Sequence, residues 1–242
     1  MSEGWESRAE QWLAWARTPG FDAYWSYRDA FFDLVPPPSR GALEVGCGEG
    51  RVTRDLAARG HRVTSLDASP TLLRAAAERD PDGEYVLGTA EALPFADGAF
   101  DLVVSYNALM DVADMPAAVA EMARVLAPGG RLCACVTHPL SDAGAFATDE
   151  PHAPFVIDGP YLGARPFRAT MQRGGLTMTF DGMIYPLEDY ALALERAGLA
   201  IEALREPAPA PGAQERPEGS AWAQWRRVPL FLMFRAAEVP RR

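Results

Sequence analysis

Glu44-Val45-Gly46-Cys47-Gly48-Glu49-Gly50 sets three glycines at alternate positions, with a carboxylate two residues ahead of the first. Backbone without Cβ lets a ligand come close and aims N–H groups at it. Arg51 follows the third glycine, so the G-x-G-x-x-G dinucleotide fingerprint is absent. No G-K-[ST] follows, which excludes a phosphate loop. A tight turn with no ligand is the alternative reading. Asp67 stands 23 residues after Glu44. A carboxylate at the end of the next strand can accept two ribose hydroxyls, or it can cap the helix that opens at Ser69-Pro70. His138, just before Pro139, is placed to take a proton from a bound hydroxyl, or it orients the Pro139 turn. Asn107 is the single asparagine of the chain and follows Tyr106; it lines a site or makes a turn. His61 reads as turn surface, and His152 lies in an irregular stretch.

These residues need a scaffold, and the hydrophobic pattern supplies one. Short apolar runs at Ala42–Val45, Arg62–Leu66, Glu84–Leu87, Phe100–Tyr106 and Arg131–Thr137 alternate with helical stretches. Those helices start at Val52, at Ser69-Pro70 and at Pro116. Pro is favoured in a first helical turn. Strands separated by helices of this length make a parallel sheet covered on both faces. The expected fold is α/β, a doubly wound, Rossmann-like and mostly parallel sheet. The aromatic segment 1–35 reads as a helical cap, stopped by Pro36-Pro37-Pro38. Residues 36–242 form the main domain, with an insert at 139–185 after the fifth strand. Within the insert, Phe167–Gln172 and Leu176–Phe180 flank Arg173-Gly174-Gly175 as a hairpin, while Asp142–Gly163 reads as irregular. Pro186–Ala197 is a helix, Leu199–Leu204 and Val228–Ala236 are strands, and Glu206–Gly219 reads as a mobile loop.

Composition limits the partners. The 242 residues carry 33 acidic against 23 basic side chains, a formal charge of -10. Such a field repels phosphate backbones, so nucleic acid is not expected. Every basic residue is arginine, which removes lysine as a Schiff-base former or general base. Apolar runs are too short to span a membrane. Cys47 reads as a buried filler. Cys133 and Cys135 lack metal-ligand spacing, and no metal is expected. With no signal segment visible and three cysteines, a reducing, cytoplasmic setting is the expectation.

Four segments in order resemble the class I S-adenosylmethionine-dependent methyltransferases, specifically their bacterial small-molecule branch. They are the Glu44–Gly50 loop, Leu66-Asp67-Ala68-Ser69, Ala90-Glu91-Ala92-Leu93-Pro94-Phe95 and Arg124-Val125-Leu126-Ala127-Pro128-Gly129-Gly130. The resemblance implies S-adenosyl-L-methionine as cofactor and S-adenosyl-L-homocysteine as product. It assigns Glu44, Gly46, Cys47, Gly48 and Gly50 to the methionine end and Asp67 to the ribose. Ala68 and Ala90 fall to the adenine, with Tyr106 and Asn107 nearby. The family often carries an acid ahead of that alanine; Thr89 stands there instead, and Glu91 is expected to face solvent.

The acceptor side is read from position alone. The aromatics Trp5, Trp12, Trp15, Tyr24, Trp25 and Tyr27 read either as a lid over cofactor and acceptor or as a helical layer packed on the sheet, with Tyr24 and Tyr27 the lid candidates; Tyr161, Met183 and Tyr185 are insert candidates. His138 is the expected base where the acceptor is a hydroxyl; an amine needs none. The function expected is methyl transfer to an oxygen or nitrogen of a small molecule. A non-catalytic cofactor-binding module and a macromolecule methyltransferase are the alternatives. The sequence leaves the acceptor and the oligomeric state open.

Overall fold

The computed structural model describes residues 2–210 and 221–239. In chain order its strands are β1 (Ala42–Val45), β2 (Val63–Asp67), β3 (Glu84–Leu87), β4 (Phe100–Tyr106), β5 (Leu126–Thr137), β6 (Gly144–Phe146), β7 (Phe155–Ile157), β8 (Arg165–Arg173), β9 (Leu176–Ile184), β10 (Leu199–Arg205) and β11 (Phe231–Glu238). The helices are α1 (Ser2–Glu6), α2 (Ala9–Arg17), α3 (Tyr24–Phe32), α4 (Arg51–Ala58), α5 (Pro70–Arg79), α6 (Met115–Val125), α7 (Leu187–Arg196) and α8 (Ala221–Gln224). Seven strands share one sheet in the order β10-β11-β5-β4-β1-β2-β3. Strands β1 to β5 run parallel, and β11 pairs antiparallel with both β5 and β10. The architecture is the doubly wound α/β fold expected from the alternation.

Local chemistry sets the helix starts. Ser69 caps α5 by accepting the Leu72 N–H at 3.2 Å, with Pro70 in the first turn. Asp114 caps α6 by accepting the Ala117 N–H at 3.0 Å. Each cap satisfies a donor that the helix cannot satisfy itself. Between α6 and β5 no loop intervenes: the Ala127-Pro128-Gly129-Gly130 turn expected after the helix is taken into the start of β5. A register shift against β4 absorbs it.

Helices α6 and α7 cover one face of the sheet, where Met115, Val119, Met122, Tyr190 and Leu194 are buried. The other face is covered by α3 and α4, through Tyr24, Tyr27, Phe31, Val52 and Leu56. The buried aromatic residues of α3 thus form a helical layer packed on the sheet. Tyr27 and Phe31 are at most 1% exposed, and each such buried ring contributes about 1.5–3 kcal/mol. Only α1 and α2 leave the sheet. Trp12 and Trp15 of α2 meet Phe180 of β9 edge-on, with ring centroids 6.4 and 6.2 Å apart.

The insert holds two hairpins. β8 and β9 pair over nine residues, from Arg165 opposite Ile184 to Arg173 opposite Leu176. The shorter β6–β7 pair lies within the stretch read as irregular. Three-residue strands carry too little alternation to be seen in a sequence. Of the loop expected at Glu206–Gly219, residues 211–219 lie outside the described residues. Its first part is tied down: the Ala210 N–H donates to the Ser26 carbonyl at 2.8 Å.

Candidate active site

The sheet order reverses at β1, which has β2 on one side and β4 on the other. In open α/β sheets ligands bind at such a switch point, beyond the carboxyl ends of the strands. A cavity of about 500 Å³ opens there. Its floor is the β1–α4 loop, Gly46 to Gly50. Gly46, Gly48 and Gly50 all have positive φ, which glycine adopts without steric cost. A Cβ at Gly46 would run into the methyl group of Ala108. No other residue type fits that position.

Asp67 ends β2 on the cavity wall. Its Oδ2 accepts the Gly48 N–H at 2.7 Å, and its Oδ1 accepts the Ser69 N–H at 2.8 Å. The carboxylate therefore fixes the glycine loop as well as facing the cavity. Ser69 itself is the cap of α5, so the helix-cap alternative falls to Ser69. Burial pushes the Asp67 carboxyl above its ordinary value, against the pull of the Ser69 and Gly48 N–H groups. Glu44 is fully buried beside the loop, where Thr53 Oγ1 donates to its Oε2 at 2.5 Å. Burial raises it to about 8, and the Thr53 hydrogen bond opposes the rise. Cys47 is buried and its thiol is pushed well up by that burial, which leaves no thiolate for attack.

Ala68, Ala90, Tyr106 and Asn107 all line the cavity. Asn107 is also a turn residue, the one non-glycine with positive φ among the described residues, at 52°. Both of its open readings hold at once. Glu91 faces the cavity rather than solvent alone, and its Oε1 accepts the Ala113 N–H at 2.9 Å.

The acceptor candidates separate. Tyr24 lines the cavity, and its hydroxyl donates to Asp55 Oδ2 at 2.5 Å. Tyr27 does not line it; its ring packs edge-on against Phe231, with centroids 4.9 Å apart. Tyr185 and Met183 pack in the core under α6 and α7, Tyr185 against Tyr190. The Tyr161 hydroxyl accepts the Leu187 N–H at 3.4 Å. None of these three lines the cavity.

His138 is likewise a correction. Its Nδ1 accepts the Leu140 N–H at 3.0 Å, and its Nε2 lies 2.8 Å from Glu206 Oε1. An acceptor Nδ1 puts the ring proton on Nε2, which donates to Glu206. Both nitrogens are committed to protein groups, and the residue is not part of the cavity wall. It orients the Pro139 turn.

Several wall residues escaped sequence reasoning. Arg51, first residue of α4, is ion-paired with Asp22 and sandwiched between Trp12 and Tyr24, 4.9 and 5.1 Å from their ring centroids. Trp5 and Trp12, by contrast, are among the aromatics read as a lid; at a centroid separation of 5.9 Å they form one side of the cavity. Asp111, in the 3-10 turn Leu109–Asp111 after β4, faces it from another. The local signal for Arg51 was its place directly after Gly50.

This geometry fits S-adenosylmethionine, which needs N–H groups at its amino-acid end, a carboxylate at its ribose and an apolar slot for its base. Comparison with known proteins agrees. Residues 43–134 match the model of a methyltransferase domain. A solved S-adenosylmethionine-dependent methyltransferase from Mesorhizobium loti superimposes with a TM-score of 0.70 at 27% identity, covering 89% of this chain and 97% of that one. Residues 43–134 thus carry a methyltransferase domain similar to those of the class I S-adenosylmethionine-dependent enzymes. Among curated relatives, the malonyl-[acyl-carrier protein] O-methyltransferase of Serratia marcescens is 41% identical over 38% of this chain and 36% of its own length. The demethylmenaquinone methyltransferase of Beutenbergia cavernae is 40% identical over 47% of each chain. The match thus spans less than half the length of these two relatives.

Proposed function

We propose that this protein transfers a methyl group from S-adenosylmethionine to an oxygen or nitrogen atom of a small molecule held in the same cavity. One observation carries the reading. The glycine loop, the Asp67 carboxylate and a wall of aromatic side chains meet around one open cavity at the switch point of the sheet. Asp67 would hold the ribose hydroxyls, Gly46–Gly50 with Glu44 the methionine end, and Ala68, Leu72 and Ala90 the base. The bound cofactor supplies an electrophilic methyl on a sulfonium.

The chain's own contribution is position and exclusion of water. Holding two reactants at near-attack distance replaces a bimolecular encounter by an intramolecular one. A cavity of about 500 Å³ lies inside the range of roughly 300–1,000 Å³ usual for small-ligand sites. That size favours a small acceptor over a folded macromolecule. The two relatives named above act, by their names, on malonyl-[acyl-carrier protein] and demethylmenaquinone. Two such different acceptors leave the choice to each protein's own wall residues.

The test is formation of S-adenosylhomocysteine from S-adenosylmethionine across a panel of alcohols, carboxylates and amines. Acceptor-dependent product that disappears in Asp67→Ala supports the reading. Tight cofactor binding without turnover on any acceptor class would make the protein a binding module instead.

A further inference from the structure

We propose that the acceptor is an amine on an apolar or aromatic frame, and that Asp111 is the group that recognises its ammonium form and takes its proton. The proposal rests on the methyltransfer reading above and names the substrate class. Its first support is the charge of the wall. Arg51 is the one cation among the described residues that line the cavity, and Asp22 neutralises it. Against it stand the acidic side chains of Glu49, Asp67, Glu91, Asp111 and Asp114. A carboxylate acceptor would enter against that field, whereas an ammonium would be drawn by it.

The second support is how those carboxylates are already used. Glu49 pairs with Arg54 and Arg79, Asp67 accepts two backbone N–H groups, Glu91 accepts Ala113, and Asp114 caps α6. The Trp5 side chain is the hydrogen-bonding group that faces Asp111. One neutral donor leaves most of its four lone-pair positions open to a ligand. Its surroundings are the elements that close the cavity. Backbone of β9 comes so near that a Cβ at Gly182 would lie 2.7 Å from Asp111 Oδ1. Arg8 and Asp181 are the charged groups facing it from the helical segment and from β9, and Asp67 faces it from β2. Arg8 is itself bound to Asp181 at 2.8 Å.

A third observation points to a ligand independently. Ser105 is completely buried on the same wall, and its Oγ has no hydrogen-bond partner within the described protein. Buried hydroxyls are costly to leave unpaired. The Trp5 ring on the same wall adds an aromatic surface of the kind that attracts a cation. Burial pushes the Asp111 carboxyl well above the ordinary range, with Arg8 opposing. An ammonium beside it would favour the ionised form against that burial.

The reaction balances without a further reagent. Asp111 forms an O–H bond as an N–H bond of the ammonium breaks, leaving a lone pair on nitrogen. That lone pair forms the new N–C bond, and the electron pair of the breaking C–S bond stays on sulfur. The positive charge passes from the sulfonium to the methylated amine.

Three probes of one shape separate the cases: 2-phenylethylamine, 2-phenylethanol and 3-phenylpropanoate. Each is titrated calorimetrically into protein saturated with S-adenosylhomocysteine, at about pH 7.5, where the first is a cation and the last an anion. The amine should bind at least about tenfold more tightly than the other two, and Asp111→Asn should remove that preference. Affinity for S-adenosylhomocysteine and the melting temperature of Asp111→Asn should stay near those of the parent. Equal binding of the three probes, tighter binding of the acid, or binding of none overturns the proposal. So does an Asp111→Asn variant that selectively loses S-adenosylmethionine over S-adenosylhomocysteine, which would assign the carboxylate to the donor. Failure of the protein to bind S-adenosylhomocysteine at all would instead refute the methyltransfer reading.

Discussion

Arg8 Nη2 lies 2.8 Å from Asp181 Oδ2, an ion pair between residues 173 positions apart that fastens the N-terminal helical segment to β9. Trp5 and Trp12 of that segment line the cavity, and Gly182 of β9 comes close to Asp111 on its wall. In the proposed reaction the pair would act as a clasp over the acceptor.

Arg8→Ala should open that clasp. Amide exchange should rise together in α1, α2 and β9 and stay unchanged in the central strands. Partly exposed ion pairs contribute little to global stability, about 0–1 kcal/mol. Acceptor affinity should fall more than cofactor affinity. Exchange confined to α1 would show the two elements to be independent.

Asp67→Ala removes two functions at once. The Gly48 and Ser69 N–H groups lose their shared acceptor, and the ribose loses its carboxylate. Affinity for S-adenosylmethionine should drop about ten- to hundredfold, the equivalent of 1.5–3 kcal/mol for hydrogen bonds to a charged group. The melting temperature should fall as well, because the loop is unpinned. Calorimetric titration and thermal melts check both parts; a stability loss with unchanged affinity would confine Asp67 to the loop.

Gly46→Ala should be worse for the site than Gly48→Ala. At Gly46 a Cβ meets Ala108, whereas at Gly48 its nearest neighbour is Trp12 Nε1 at 3.7 Å, an ordinary contact. Both pay for positive φ, of order 1 kcal/mol. Only Gly46→Ala must also displace the turn after β4. Cofactor titration of the two variants side by side ranks them, and equal losses would show that strain alone matters.

Glu44 makes stability depend on pH. Its carboxyl sits at about 8 in the folded chain against an ordinary 4.5. Between those values the folded chain holds a proton that the unfolded chain has released, so stability falls as pH rises through that window. Glu44→Gln cannot lose that proton. Relative to the parent it should gain about 1–3 kcal/mol between pH 5 and pH 8.5, measured by urea unfolding. A constant difference between the two proteins would mean that Glu44 stays ionised throughout.

His138→Gln should destabilise by about 0.5–1.5 kcal/mol, the cost of a typical lost hydrogen bond. The pH profile of turnover should not move. A displaced profile would restore the histidine as a proton acceptor.

What the sequence disclosed was local. Gly46, Gly48, Gly50 and Asp67 lie within or just after single strand–turn–helix units, so their spacing alone reports their geometry. The α/β alternation did the same for the sheet. Asp111, Trp5 and Arg8 meet only because the N-terminal segment folds back onto β9, a relation that no local pattern encodes. The misplacement of His138 has a topological cause. The end of β5 was read as part of the site's rim, but β11 is its other neighbour, and the His138 N–H donates to the Leu230 carbonyl at 2.9 Å. The cavity lies instead at β1, β2 and β4. Tyr27 was misread because helical spacing of aromatics marks a buried face equally well whether it covers a sheet or a ligand.

Calorimetric titration of the full chain with S-adenosylmethionine tests the central claim most directly. The account predicts one binding site per chain in the parent protein, with affinity reduced about tenfold or more in Asp67→Ala. A parent protein that is folded by its thermal melt yet releases or absorbs no heat of binding at any cofactor concentration would contradict it.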